Sequence, residues 1–191
     1  MDHADHVALI RDGVVPGVWA DLGSGGGAFT LALADLLGEG ARIVSVDRDG
    51  GALRRQREAM QARFPGAAVE YRRADFTGRL DLPELDGILM ANSLHFVRRK
   101  EPVLAAVTGW LKPGGRLVLV EYDTDEGSVW VPHPLTCSTW ERVAAANGFQ
   151  GTRQLASRPS RYVGSMYSAL TFRPAGQPGD EPRPAWPQPR R

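Results

Sequence analysis

The chain has 191 residues, 42% hydrophobic and 24% charged, with 23 Lys and Arg against 22 Asp and Glu, a formal net charge of +1. That length suits one domain with a short extension, and the even charge gives no electrostatic footprint for nucleic acid or an anionic membrane. One cysteine, Cys137, excludes an internal disulfide and a thiolate metal cluster, and no apolar run approaches the ~18 residues of a membrane span.

The first 15 residues carry three Asp and one Arg and lack a basic leader region, so a cytoplasmic location is expected. His3 and His6 fall in a terminus expected to fray, and they make no metal site by themselves. The apolar run Gly17 to Leu22 reads as a first strand that stops at a glycine cluster. Phe29, Leu33, Leu36 and Leu37 then follow helical spacing, with Gly38 and Gly40 behind them as a stop. Ile43 to Val46 is a second strand ending at Asp47, and Leu53 to Phe64 an exposed helix stopped by Pro65-Gly66. Ala68 to Tyr71 and Gly87 to Met90 read as the third and fourth strands. The stretch between them, Arg73 to Glu84, is too short for a full helix and is expected to be a loop or single turn. Pro102 opens a helix whose buried stripe is Val103, Val107, Trp110 and Leu111, ended by Pro113-Gly114-Gly115. Arg116 to Val120 is a nearly continuous apolar strand, as expected for a central parallel position. Ser138 with Glu141 predicts a capping box, and Asn147-Gly148 closes that helix. Thr152 to Ala156 and Tyr167 to Phe172 have strand composition with no helix between them.

Repeated strand–helix units followed by two directly linked strands give an α/β fold, mostly parallel, with helices on both faces and an antiparallel close. Residues 174–191, PAGQPGDEPRPAWPQPRR, hold six of the 14 prolines and are expected to be a disordered Pro-rich tail on a folded domain of residues 1–173. The tail carries three Arg and two acids, so removing it leaves 20 basic and 20 acidic residues and a neutral body.

The chemistry concentrates after the first strand, in Asp21-Leu22-Gly23-Ser24-Gly25-Gly26-Gly27. Glycines there permit a tight turn and close approach of a ligand, and N–H groups at the start of the next helix are expected to face it. Parsed as Gly23-x-Gly25-x-x-Ala28, the stretch also fits a dinucleotide fingerprint, so a nicotinamide-dependent oxidoreductase stays open at this point. Asp47, at the end of the second strand, can accept both hydroxyls of a ribose with either cofactor. Asp75-Phe76, after the third strand, suits an adenine: the acid accepts from its amine and the ring packs on its face.

Asp21-x-Gly23-x-Gly25-x-Gly27, Asp47, Asp75-Phe76 and Leu111-Lys112-Pro113-Gly114-Gly115-Arg116-Leu117 resemble the successive motifs of class I S-adenosylmethionine-dependent methyltransferases. Met90-Ala91-Asn92-Ser93-Leu94-His95-Phe96 resembles the motif after the fourth strand in that family's small-molecule branch, near the quinone-biosynthesis C-methyltransferases. The resemblance runs from about Val7 to Phe172. It implies a Rossmann-like seven-stranded sheet in the order 3-2-1-4-5-7-6, strand 7 antiparallel, and S-adenosylmethionine as cofactor. It also implies that Asp21, Gly23, Ser24, Gly25 and Gly27 line the methionine end, that Asp47 with Arg48 holds the ribose, that Asp75 and Phe76 hold the adenine, and that Asn92 presents its backbone or amide beside them.

Methyl transfer from a sulfonium needs alignment and exclusion of water, and a general base only where the nucleophile is protonated. His95 and Tyr122, past the ends of the fourth and fifth strands, are the candidates for contact with the acceptor, His95 as the base. Asp123, Asp125 and Glu126 read as a solvated loop. No carboxylate ends the fourth strand, so a catechol-type metal site is not expected. Trp130-Val131-Pro132-His133-Pro134 is the expected substrate-side loop, with the first dozen residues as the other source of cover. The Asn-Pro-Pro-Tyr of base and amide methylation is absent. The expected partner is therefore a small, uncharged or modestly polar acceptor rather than nucleic acid or membrane. A protein that binds the cofactor without catalysis is the second alternative.

Overall fold

Seven strands, none able to bury itself alone, pair into one sheet. The computed structural model describes residues 1–160 and 163–176. In chain order the elements are α1 (His3–Ile10), β1 (Val18–Leu22), α2 (Ala28–Leu37), β2 (Arg42–Asp47), α3 (Gly50–Arg63), β3 (Ala68–Arg73), β4 (Leu85–Ala91), α4 (Glu101–Trp110), β5 (Leu111–Tyr122), α5 (Cys137–Ala146), β6 (Gln150–Pro159) and β7 (Ser165–Phe172). The strand order is β3-β2-β1-β4-β5-β7-β6. β1 to β5 run parallel, and β7 inserts antiparallel between β5 and β6.

Alternation along each strand sends successive side chains to opposite faces. Ala20, Leu22, Val44, Val46, Ile88, Met90, Leu117 and Leu119 pack with Leu104 and Val107 of α4 and Trp140 of α5. Trp19, Ile43, Leu89, Val118 and Val120 pack on the other face with Leu9 and Ile10 of α1, Leu33 of α2 and Met60 of α3. Ile88, Leu89 and Met90 are wholly buried in succession, each contributing about 1.5–3 kcal/mol by leaving water.

Several expectations change. The N-terminus does not fray: Asp2 accepts from the Asp5 amide at 2.9 Å while the Asp5 carboxylate takes the Asp2 amide at 3.3 Å, which caps α1. Val7, Leu9 and Ile10 then bury against the sheet, so α1 is a core helix rather than a lid. Leu111 leaves the helix with φ −73° and ψ 142° and opens β5, so Lys112-Pro113-Gly114-Gly115 lies within the strand at a register shift opposite Leu85 and Gly87. The cap of α5 is Thr136, whose hydroxyl accepts from the Thr139 amide at 3.2 Å, not Ser138. Asp123 and Asp125 are anchors of that helix: Asp125 takes the Thr136 amide at 2.9 Å and Asp123 the Cys137 amide at 3.0 Å.

The link from β3 to β4 has no helix, as its length predicted. Of the expected tail, residues 177–191 lie outside the described residues. Pro174, at its start, accepts from the Gly114 amide at 3.3 Å. Among the described residues, no helix is long and apolar enough to cross a membrane.

Candidate functional site

The carboxyl ends of β1 to β5 open onto three adjoining cavities. The first is about 590 Å³ and is lined by Gly23, Gly25, Asp47, Arg48, Asp75, Phe76 and Asn92, among others. The second, about 540 Å³, lies on the α1 side of the glycine loop and includes His6, Asp21, Ser24, Gly25 and Asn92. The third, about 430 Å³, is lined by Asn92, His95, Phe96, Tyr122, Ser128, Trp130, Val131 and Val163. The sequence-predicted cofactor residues are thus brought together, except Gly27, which turns inward as the N-cap of α2.

The glycine loop does not behave as an anion cradle. Gly23 and Ser24 donate their amides to the Val46 carbonyl at 2.8 and 3.0 Å, and Gly27 donates to Ser24. The Gly25 amide goes to Asp47 Oδ2 at 2.7 Å. These four loop N–H groups are therefore engaged within the protein. What the loop offers is bare backbone. Gly25 has φ +51° and nothing within 4 Å of where a Cβ would stand, so a ligand can lie directly on the chain. Gly23 has φ +77°, and a Cβ there would stand 2.5 Å from Ser93 Cβ; its absence lets the ends of β1 and β4 close, with Ser93 Oγ donating to the Leu22 carbonyl at 2.7 Å.

Behind the loop runs a buried polar chain. Thr30 Oγ1 donates to Asp21 Oδ2 at 2.6 Å, Gln56 Nε2 donates to Thr30, and Ser45 Oγ reaches both Gln56 Oε1 at 2.7 Å and Ser24 Oγ at 2.8 Å. Burial pushes the Asp21 carboxyl up to about 7; the Thr30 hydroxyl opposes the shift and the Asp47 charge adds to it. At the next strand end Asp47 is held by two amides, Gly25 on Oδ2 and Asp49 on Oδ1 at 2.8 Å. Each carboxylate oxygen keeps acceptor capacity for a ribose hydroxyl. Asp75 takes the Thr77 hydroxyl and amide on Oδ1, at 2.7 and 2.8 Å, which hold its carboxyl below the usual range. Its Oδ2 takes neither bond. Phe76 lies beside it on the cavity wall.

The third cavity is built from apolar and aromatic walls around one titratable ring. His95 Nδ1 meets Glu121 Oε2 at 2.7 Å, and the His95 amide donates to Glu121 Oε1 at 3.1 Å. Both side chains are buried, at 3% and 0% exposure. Since a carboxylate only accepts, Nδ1 donates and Nε2 is left as a proton acceptor. Glu121 was not among the sequence candidates, nor was Lys100. The Lys100 ammonium, lowered by burial, donates to the carbonyls of Val97 at 3.0 Å and His133 at 2.9 Å. The His133 amide returns to the His95 carbonyl at 2.9 Å, which fastens the loop bearing Trp130 to the His95 segment. Trp130 is 83% exposed and forms a wall of the cavity instead of plugging the core. Tyr122 lines the same cavity, its ring 5.9 Å from that of His95. Among the described residues, no group of three or more His, Cys, Asp or Glu is placed to hold a metal ion.

Comparison with known proteins joins this geometry to a family. The family described as "Methyltransferase domain" matches residues 20–119, just over half of the chain. A ubiquinone/menaquinone biosynthesis C-methyltransferase of Azotobacter vinelandii is 33% identical over 104 residues, which cover 53% of this chain and 41% of that protein. The chain therefore spans less than half the length of this curated relative. Among solved structures, the YcgJ protein of Bacillus subtilis superposes with a TM-score of 0.73 at 14% identity, covering 91% of this chain and all of its own. Magnesium protoporphyrin IX methyltransferase of Synechocystis PCC 6803, solved with bound S-adenosylmethionine, has a TM-score of 0.66 at 17% identity over 90% of this chain and 77% of its own. At those identities the likeness is one of fold.

Proposed function

This chain belongs to the methyltransferase-domain family, and from that premise we propose that it moves a methyl group from S-adenosylmethionine to a small, largely apolar acceptor whose nucleophile carries a proton. Carbon is the atom we favour, since the curated relative is named a C-methyltransferase. The observation that carries the reading is the buried His95–Glu121 pair in the wall of an apolar cavity that shares Asn92 with the two cavities flanking the glycine loop.

The residues fit that donor. Asp47 and Asp75 present free acceptor capacity to a ribose and an adenine amine, and Phe76 gives the base a face. The methyltransferase-domain match counts against the oxidoreductase alternative. Asp21 lines the cavity on the α1 side of the loop, and Asn92 lines the cavities on both sides. When bound, S-adenosylmethionine supplies a methyl group on a cationic sulfur that departs as a neutral thioether.

The protein's part is placement and proton removal. Glu121 fixes the His95 ring and its tautomer through Nδ1, and Nε2 takes the acceptor's proton. A base so placed contributes about 10²–10⁴-fold. Lys100 and His133 hold the Trp130 loop against the same segment, so the wall that encloses the acceptor and the base are set together. The buried, oriented His95 in the wall of an apolar cavity favours the catalytic reading over a binding-only protein.

Calorimetric titration with S-adenosylhomocysteine tests the donor site. Wild type should bind, and Asp47→Ala, losing a charged acceptor, should bind at least about tenfold more weakly. Transfer of label from S-[methyl-³H]adenosylmethionine to a panel of small 1,3-dicarbonyl compounds and hydroquinones tests the reaction. No binding by the wild type overturns the cofactor. Methylation confined to amines with a free lone pair overturns the role of a base.

A further inference from the structure

Four large apolar side chains are exposed among the described residues, and three of them gather at one place. Val129 is 90% exposed, Trp130 83% and Phe96 59%. Phe96 and Trp130 stand at the acceptor cavity, and Val129 adjoins Trp130 in the chain. Local structure holds Val129 and Trp130 out. The Ser128 amide donates to the Val131 carbonyl at 2.9 Å, and the Val131 amide to Ser128 Oγ at 3.1 Å. That closes a turn with Val129 and Trp130 at its two central positions, where polar residues and glycine are the usual occupants. Bare backbone at Gly127 admits the Pro132 carbonyl at the neck of the turn; a Cβ there would stand 2.5 Å from it. Beyond the turn Val131 and Leu135 are buried, and His133 is tied to His95 and Lys100. The base is fixed, so the apolar tip stays in water.

Area and charge indicate what covers it. The three side chains present about 400 Å² at these exposures, roughly half of the ~800 Å² that each partner gives to a stable protein interface. A lipid surface needs no matching partner face: apolar side chains enter it singly, and Trp is enriched at its interface. Arg98 and Arg99, two and three residues past Phe96, are exposed, and neither is in an ion pair among the described residues. Of the acids on the Trp130 loop, Asp123 and Asp125 are turned to the amides at the start of α5, which leaves Glu126. The even net charge of the whole chain thus conceals two unpaired cations on the segment that carries Phe96. We propose that the Val129–Trp130 turn and Phe96 dock this protein on an anionic lipid bilayer, with Arg98 and Arg99 meeting the headgroups, so that the acceptor cavity opens onto the membrane and draws its acceptor from there. The docking stands on this surface alone; the use made of it rests on the reading of an apolar acceptor given above.

Flotation of the full chain with vesicles of phosphatidylcholine, alone or mixed with phosphatidylglycerol, tests it. Wild type should bind the mixed vesicles at least about tenfold more tightly than the neutral ones. Val129→Ser with Trp130→Ser should weaken that binding at least about tenfold, with Tm within about a degree and affinity for S-adenosylhomocysteine unchanged. Arg98→Gln with Arg99→Gln should remove most of the preference for phosphatidylglycerol. Trp130→Phe should still bind, and should lose the share of tryptophan fluorescence that acyl-brominated lipid quenches in the wild type. Undiminished binding by the double Ser variant, undiminished quenching in Trp130→Phe, or equal wild-type binding to both vesicles overturns the proposal. So does a wild type that ignores vesicles and self-associates through this turn, the dimer being lost in the double Ser variant. Wild type that binds S-adenosylhomocysteine and neither vesicle overturns the docking alone. Failure to bind S-adenosylhomocysteine overturns the donor reading and leaves the vesicle result standing.

Discussion

Replacing Glu121 with Gln changes one atom of the buried pair and decides whether His95 acts as a base. In the wild type both carboxylate oxygens accept, one from the His95 amide at 3.1 Å and one from Nδ1 at 2.7 Å. Gln brings one oxygen and one NH₂ group. If the oxygen keeps the amide, the NH₂ faces Nδ1 and donates to it, so the ring hydrogen moves to Nε2 and no proton acceptor faces the cavity. If the oxygen keeps Nδ1, the NH₂ opposes the main-chain amide, donor against donor. The first arrangement satisfies every group, so the protein should fold with little change in Tm and bind S-adenosylhomocysteine as the wild type does. The chemical step should slow by about 10²–10⁴-fold, which is about 3–5 kcal/mol of lost transition-state stabilisation. Single-turnover transfer of labelled methyl to an acceptor found with the wild type measures it. A rate within about threefold of wild type, with Tm and donor binding unchanged, refutes the base.

Asp21→Asn should stabilise the protein at high pH and not at low pH. The folded carboxyl sits near 7, raised from 3.8 by burial, so the native state holds a proton that the unfolded chain releases. The stability tied to that proton is full below about pH 3.8, falls as pH rises from there to about 7, by about 4 kcal/mol at most, and is level above. The Asn variant lacks this loss, so its Tm advantage should be largest at pH 8 and about half as large at pH 5.5; an advantage equal at both pH values sinks the assignment. Trp130→Ala removes a side chain that is 83% exposed yet lines the acceptor cavity. Its Tm should stay within about a degree, while acceptor KM rises roughly 5- to 30-fold from the loss of about 1–2 kcal/mol of apolar contact. An unchanged KM with a lower Tm assigns Trp130 to packing.

What could be read in the sequence was what repeats with a period or stops at a glycine. The run into Gly23, the helix ending at Gly38 and the alternating strands announced the βα order. The carboxylates at strand ends were visible because each follows an apolar run. α1 was not visible, since its apolar residues Val7, Leu9 and Ile10 occupy one edge of an eight-residue segment headed by His3 and His6, and it is fixed only by contact with the sheet. The inward use of the loop amides was equally hidden, because glycine spacing does not say that the Val46 carbonyl stands across from them. Glu121 was legible in principle. Period two puts it on the face of Leu117 and Leu119, which is buried, so an acid there had to find a partner. Glu121 falls one residue past the apolar run Arg116 to Val120 that marked the strand, and so was not taken up with it.

The sheet order explains why the chemistry is divided as it is. Chain order reverses between β1 and β4, the place where open α/β sheets leave a crevice. On one side, the ends of β1, β2 and β3 carry Gly25, Asp47 and Asp75, a series of acceptors and bare backbone fit for a cationic nucleoside. On the other, the ends of β4 and β5 carry His95 and Glu121, which can pair because those strands are neighbours in register, Ala91 beside Val120. Asn92 follows directly on Ala91 and stands between the two halves. That residue keeps a left-handed backbone and an unpartnered buried oxygen.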